Sequence, residues 1–135
     1  MLLVEWDGTL VLGVKQMDEH HEKLVSILNR CYRALMLNDH QHELEAIVGE
    51  LLDYTHYHFR TEESLMGEMG YLEAPSHVEA HDVFIASIED FHVRHQAGES
   101  FIAMDLLMFL KEWLVDHIRI TDRALARFIL GKANR

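Results

Sequence analysis

His58-Phe59-Arg60-Thr61-Glu62-Glu63 is the stretch from which the rest of the chain is read. A histidine and a carboxylate stand four residues apart within a segment of helical periodicity. On a helix, positions i and i+4 lie on one face, one above the other. An imidazole and a carboxylate stacked that way can hold one metal ion, or the carboxylate can bridge two. The same face runs back through Thr55, Leu51, Val48, Ile47 and Leu44, an apolar row that must be buried against something else. The pair therefore predicts an inward-facing mixed row, and the question becomes which other segments bring ligands to it.

Working outward from that helix, 40–66, the remainder of the chain also reads as long amphipathic segments. Upstream, Asp18 is an N-cap for a helix over about 18–37, with Glu19 and Glu22 suited to the positive end of its dipole. Leu24, Leu28, Cys31 and Leu35 recur at spacings of three and four, and His21 continues that row. Asn38-Asp39 closes this helix and opens the next. Downstream, Gly67 and Gly70 end the second helix in a loop over 67–74. A third helix, about 75–96, starts either with Pro75 in its first turn or with a Ser76/Glu79 capping box. His77, His81, Phe84, Ile88 and Phe91 make its stripe. Ser100 caps a fourth segment, about 100–131, whose inner row holds Ile102, Leu106, Phe109, Leu110, Trp113, Leu114 and His117. Asp122 lies a turn and a half further on, and Leu125, Ile129 and Leu130 carry a short C-terminal helical extension. Residues 1–16 lack helical periodicity and read as an extended arm packed on the outside. Four amphipathic helices with short connections give an all-α, antiparallel up-down-up-down four-helix bundle, one domain over 1–135.

Composition narrows the function. Asp plus Glu number 23 against 12 Lys plus Arg, a net charge of -11, which argues against nucleic acid or an anionic membrane as partner. Cys31 is the only cysteine, so no intrachain disulfide and no cysteine zinc motif can form. No apolar run approaches the roughly 18 residues of a membrane span, and the N-terminus lacks the basic region of a secretory signal. A soluble, cytoplasmic monomer is the expectation. Met17, Met66, Met69, Met104 and Met108 read as packing residues.

The unusual count is eleven histidines. Those on inward rows are His21, His58, His77, His81 and His117, joined by Glu62 and Asp122. Any one of them alone is most simply a core histidine satisfied by a carbonyl. Five imidazoles and two carboxylates buried together would need many internal partners and would carry desolvated charge, and metal coordination answers both needs. A single zinc takes three or four ligands; seven suit two ions with bridging carboxylates. Imidazole with carboxylate fits iron, zinc, copper or nickel. The other six, His20, His40, His42, His56, His92 and His95, fall off the rows or at helix ends, mostly at the surface. His20 adjoins His21 but is turned off the row by about 100°. Glu63 is likewise rotated away, toward solvent or a supporting contact behind the ligands.

The motifs Met17-Asp18-x-x-His21-x-x-Leu24, His58-Phe59-x-x-Glu62-Glu63-x-x-Met66, His77-x-x-x-His81-x-x-Phe84 and Trp113-Leu114-x-x-His117-Ile118-x-x-x-Asp122 cover nearly the whole chain in order. In them the chain resembles the hemerythrins, in particular the single-domain bacterial ones, and all seven ligand positions match. The resemblance implies a non-haem di-iron centre, oxo- or hydroxo-bridged, that binds dioxygen reversibly without being an enzyme. His77, His81 and His117 would hold one iron and His21 and His58 the other, with Glu62 and Asp122 bridging. Phe59, Trp113, Leu114 and Ile118 would wall the dioxygen pocket, with Leu114 guarding the open position. One departure is Leu125, where the family usually has a tyrosine three residues after the bridging aspartate. Alternatives that use the same centre are a di-iron oxidase or peroxidase and a sensor of nitric oxide or oxygen. The ferritin-like oxygenases use two Glu-x-x-His motifs, whereas the only such spacing here is Glu89-x-x-His92.

Overall fold

The computed structural model describes residues 3–36, 40–98 and 102–133. Its elements are α1 (Lys15–Met36), α2 (His40–Met69), α3 (Ala74–Gln96), α4 (Ile102–Asp116), a π-helical segment (His117–Asp122) and α5 (Arg123–Ala133). No strand occurs among the described residues. Helix α1 packs on α2 and α4, α2 on α3, and α3 on α4, so the four long helices close a ring around one core. Phe84, Leu28, Ile47, Leu51, Ile88, Leu106, Leu110 and Ile118 are almost wholly buried in it. Each such side chain contributes about 1.5–3 kcal/mol relative to exposure. No helix among the described residues is long and apolar enough to cross a membrane.

Several boundaries depart from the sequence reading, each for a local reason. Helix α1 begins at Lys15, a turn earlier than Asp18. Asp18 does not cap its own helix by the expected route; its carboxylate accepts the Leu12 and Gly13 N–H groups at 2.8 and 3.1 Å and so pins the arm to the first turn. Gly67 does not stop α2, which continues to Met69. Gly70 stops it, with φ +67. There the Tyr71 N–H bonds the Met66 carbonyl at 3.0 Å and the Gly70 N–H bonds that of Gly67 at 3.4 Å, the paired closure that a left-handed glycine permits. Helix α3 starts at Ala74 with Pro75 in its first turn. Ser76 Oγ donates to the Glu73 carbonyl, so the proline start operates and the capping box does not. The expected caps at Asn38-Asp39 and Ser100, with Leu37, lie outside the described residues, as do the side chains of His40, His42, Leu44, Val48 and Ile102.

The N-terminal arm is less peripheral than expected. Leu10 and Leu12 are 0% and 7% exposed and belong to the core. A turn closes at Asp7–Leu10, with the Asp7 carboxylate accepting from Thr9. Arg119 and Arg123, from the far end of the chain, donate to the Thr9 hydroxyl and carbonyl at 2.8 and 2.7 Å. Upstream, the Asn29 amide accepts the Leu3 and Val4 N–H groups and donates to the Val4 carbonyl. Among the methionines, Met17 and Met66 pack inside, but Met104 and Met108 are each 47% exposed and are not packing residues.

Candidate metal centre

Each long helix delivers its candidate ligands by its own periodicity. In α2, His58 and Glu62 are one turn apart; in α3, His77 and His81 repeat that spacing; α1 supplies His21. The fourth wall is different. His117 and Asp122 are five apart, and on a regular α-helix five residues amount to about 140° of rotation off the same face. Here the backbone is π-helical from His117 to Asp122, and the Arg123 N–H reaches back five residues to the Ile118 carbonyl. Bonding five residues back widens the turn and brings residue i+5 much closer to the face of residue i. His117 Nε2 and Asp122 Oδ1 consequently meet at 3.1 Å. The periodic reading had not foreseen this segment.

All seven residues are at most 6% exposed. Their donor atoms fall into two sets, His77/His81/His117/Asp122 and His21/His58/Glu62/Asp122, each with atoms within 4.8 Å of one another and able to hold a metal ion. The carboxylates divide their oxygens between the histidine groups. Asp122 Oδ2 lies 2.9 Å from His21 Nε2, while Oδ1 lies 3.0 Å from His77 Nε2 and 3.1 Å from that of His117. Glu62 Oε1 touches His58 Nε2 and lies 3.9 Å from His21 Nε2, while Oε2 lies 3.1 and 4.0 Å from His77 and His81 Nε2.

Proximity here is not hydrogen bonding. Both oxygens of Glu62 and of Asp122, and Nε2 of His21, His77, His81 and His117, are buried with no hydrogen-bond partner. Lone pairs that converge without matching donors are costly in a protein core and are what a cation neutralises. The electrostatics agree. Burial alone would lower the His21 and His77 imidazoles, but the facing Asp122 and Glu62 carboxylates raise both to about 9. Burial and their mutual repulsion would raise Glu62 and Asp122; the facing histidines instead hold both well below the ordinary carboxylate range. His81, dominated by burial, is pushed down to about 3. Raised imidazoles and lowered carboxylates alike mark a place that favours positive charge, whether a proton or a metal ion supplies it. The donor set, five imidazoles and two carboxylates, fits a pair of first-row ions.

Around the donors the surface is largely apolar. The Phe59 ring stacks on His81 with centroids 3.6 Å apart and planes at 5°. Trp113 stacks on His117 at 4.2 Å and 14°, and Phe84 bridges the two walls at 5.8 Å from Phe59 and 4.2 Å from Trp113. Leu114 and Ile118 are 4% and 0% exposed, and Leu125 is fully buried. Trp113 is half-buried and lines a cleft with Phe109, Glu112 and His117. Glu63 lies behind the ligands, its Oε2 3.1 Å from His81 Nδ1.

The surface placement of His20 is overturned. It is 7% exposed, and its Nδ1 lies 2.7 Å from His58 Nδ1. Helix α1 faces two neighbours at once, so its buried arc is wide enough for adjacent residues. The signal was there to find, because His20, Leu24, Ile27 and Cys31 form a row as regular as the one through His21. His56 is exposed, and His92 and His95 are half-buried.

A profile of the hemerythrin HHE cation binding domain matches residues 12–129. A bacteriohemerythrin of Stenotrophomonas maltophilia is 33% identical over 135 residues, which is 100% of this chain and 87% of that protein. One of Pseudomonas aeruginosa (strain LESB58) is 35% identical over 117 residues, 87% of this chain and 75% of that one. Among solved structures, a wild-type hemerythrin superposes with a TM-score of 0.85 at 25% identity, covering 93% of this chain and 96% of that one. Profile, relatives and fold agree with the buried cluster of histidine, glutamate and aspartate: the chain belongs to the hemerythrin family.

Proposed function

We propose that the chain binds dioxygen reversibly at a di-iron centre, as a carrier, a store or a means of delivery, and that it is not an enzyme. One observation carries this reading: both buried carboxylates split their oxygens between the same two histidine groups. In that arrangement His77, His81 and His117 would hold one iron, His21 and His58 the other, and Glu62 and Asp122 would bridge them. When bound, the pair of ferrous ions supplies the two electrons that dioxygen takes up on binding and gives back on release.

The protein's part follows from its residues. Three histidines serve one half of the centre and two serve the other, so with both carboxylates shared as bridges the His21/His58 half would have one ligand fewer, and that is where dioxygen would enter. Leu114, Ile118 and Phe59 are buried beside the ligands. Apolar walls keep water and stray protons from a bound ligand that must leave unchanged. Glu63, an acid next to a ligand in sequence, stands behind His81, on the three-histidine half.

The test is spectroscopic. The protein is reduced anaerobically with iron, exposed to air, and cycled several times between oxygen and vacuum. A charge-transfer band that appears and disappears with each cycle is expected. Irreversible bleaching with substrate turnover would favour an oxidase, and the absence of any band with iron would overturn the di-iron reading.

A further inference from the structure

His20 is buried, adjoins His21, and belongs to neither donor set. Its Nδ1 lies 2.7 Å from His58 Nδ1, with the two rings edge to face and centroids 4.9 Å apart. His58 turns its other nitrogen, Nε2, onto Glu62. Two ring nitrogens at this distance share one proton: one donates it and the other accepts it. A metal on His58 Nε2 uses that nitrogen's lone pair, so the remaining ring proton must sit on Nδ1. His20 Nδ1 is then the acceptor, and the proton of the His20 ring resides on Nε2.

From this contact we infer that His20 is a positioning residue for the two-histidine half of the centre. It accepts the His58 Nδ1–H bond, fixes the His58 tautomer, and aims Nε2 at the metal. The inference rests on the di-iron reading above. Such contacts orient a ligand and tune its basicity. The opposite half makes an instructive contrast, because there the supporting group is a carboxylate, Glu63 on His81 Nδ1. An imidazole acceptor is neutral where Glu63 is a carboxylate, so the two halves of the site are supported by different chemistry. The His20 ring is held in turn by Tyr54 and Tyr57, at centroid distances of 5.7 and 5.2 Å. A side chain that keeps the size of His20 but cannot accept leaves the His58 proton unpaired in the core.

The test compares His20→Leu, which cannot accept, with His20→Gln, whose amide oxygen can. Full-length proteins are loaded with zinc alone, and the two ions are withdrawn by a competing chelator. His20→Leu is expected to lose one ion of the two about 10- to 100-fold more readily than the parent, with the second ion little affected. His20→Gln is expected to return to within a few-fold of the parent. Nitrogen-15 NMR of the zinc-loaded parent should show a hydrogen-bonded Nδ1–H on His58 that disappears in His20→Leu. Equal loss in both variants would assign His20 a packing role and overturn the inference, as would a His20→Leu protein that holds both ions as the parent does. A parent that takes up no second ion would overturn the di-iron reading as well, which separates the two failures.

Discussion

At the scale of single residues, chemistry is decided by which atoms are left without partners. Glu62 and Glu63 are adjacent and equally acidic, yet their fates diverge. Glu62 is buried with neither oxygen hydrogen-bonded, and Glu63 is half-exposed with one oxygen on His81. Substituting Glu62→Ala is therefore expected to reduce bound iron from two ions per chain to one or none, measured by metal analysis of the purified protein. Two ions retained would contradict the bridging role. Glu63→Ala should leave two. Leu114 sits one turn before His117 and is 4% exposed. Leu114→Ala should cost about 2–5 kcal/mol of stability through the cavity it leaves. It should also speed both oxygen release and autoxidation, followed by stopped-flow absorbance. Unchanged rates alongside the lowered stability would leave Leu114 a core residue and nothing more.

At the scale of elements, the π-helical segment carries the argument. A regular α-helix would present residue 121 over His117, whereas the observed segment presents Asp122. The double exchange Thr121→Asp with Asp122→Thr separates these geometries. With the π register, the exchanged carboxylate points away and the chain should lose at least one metal ion while its helical circular dichroism is unchanged. Full metal binding in the exchanged protein would show that the segment is α-helical. The arm is the other element whose role emerges late. Its bonds to Asp18 and Asn29 tie it to α1, and those to Arg119 and Arg123 tie it to the π-helical segment and α5. They close the bundle beside the segment that bears His117 and Asp122.

At the scale of the whole molecule, the buried charges link stability to pH and to metal. In the metal-free chain, His21 and His77 hold their protons up to about pH 9, against about 6.5 in the unfolded state. The folded state binds these protons more tightly, so their contribution is complete below pH 6.5 and is lost as pH rises through 9. Two groups act in the opposite sense at low pH. The contribution of Glu62 and Asp122, whose folded values are depressed, is complete above the ordinary carboxylate range and is lost as pH falls from there toward the lower folded values. His81, neutral down to about 3, also favours the unfolded chain below 6.5. The melting temperature of metal-free protein is expected to fall between pH 7 and 9. The metal-loaded protein should not show that fall, because the ion replaces the protons. A metal-free profile flat over that range would count against proton balance in the core. Metal uptake near pH 7 should likewise release about two protons, detectable by calorimetry in buffers of differing ionisation enthalpy.

Much of this protein was legible in its sequence because helical periodicity converts spacing into direction. His58 with Glu62, His77 with His81, and His21 on the row of Leu24 and Leu28 could each be assigned to an inward face, and four such faces imply a bundle with a polar centre. Where periodicity was ambiguous, only the packed molecule decided. The width of the buried arc on α1 depends on how many neighbours that helix has, and this brought His20 inside. The five-residue step to Asp122 depends on a local change of hydrogen bonding that no composition announces. The arm's Leu10 and Leu12 are core residues where distant side chains hold the chain down, Arg123 on the Thr9 carbonyl, Arg119 on the Thr9 hydroxyl and Asp18 on the Leu12 N–H. The sequence by itself determined the row of residues on which the inward face of each helix is centred. The tertiary structure decided which of those groups meet, since distances between helices arise from packing and not from spacing along the chain.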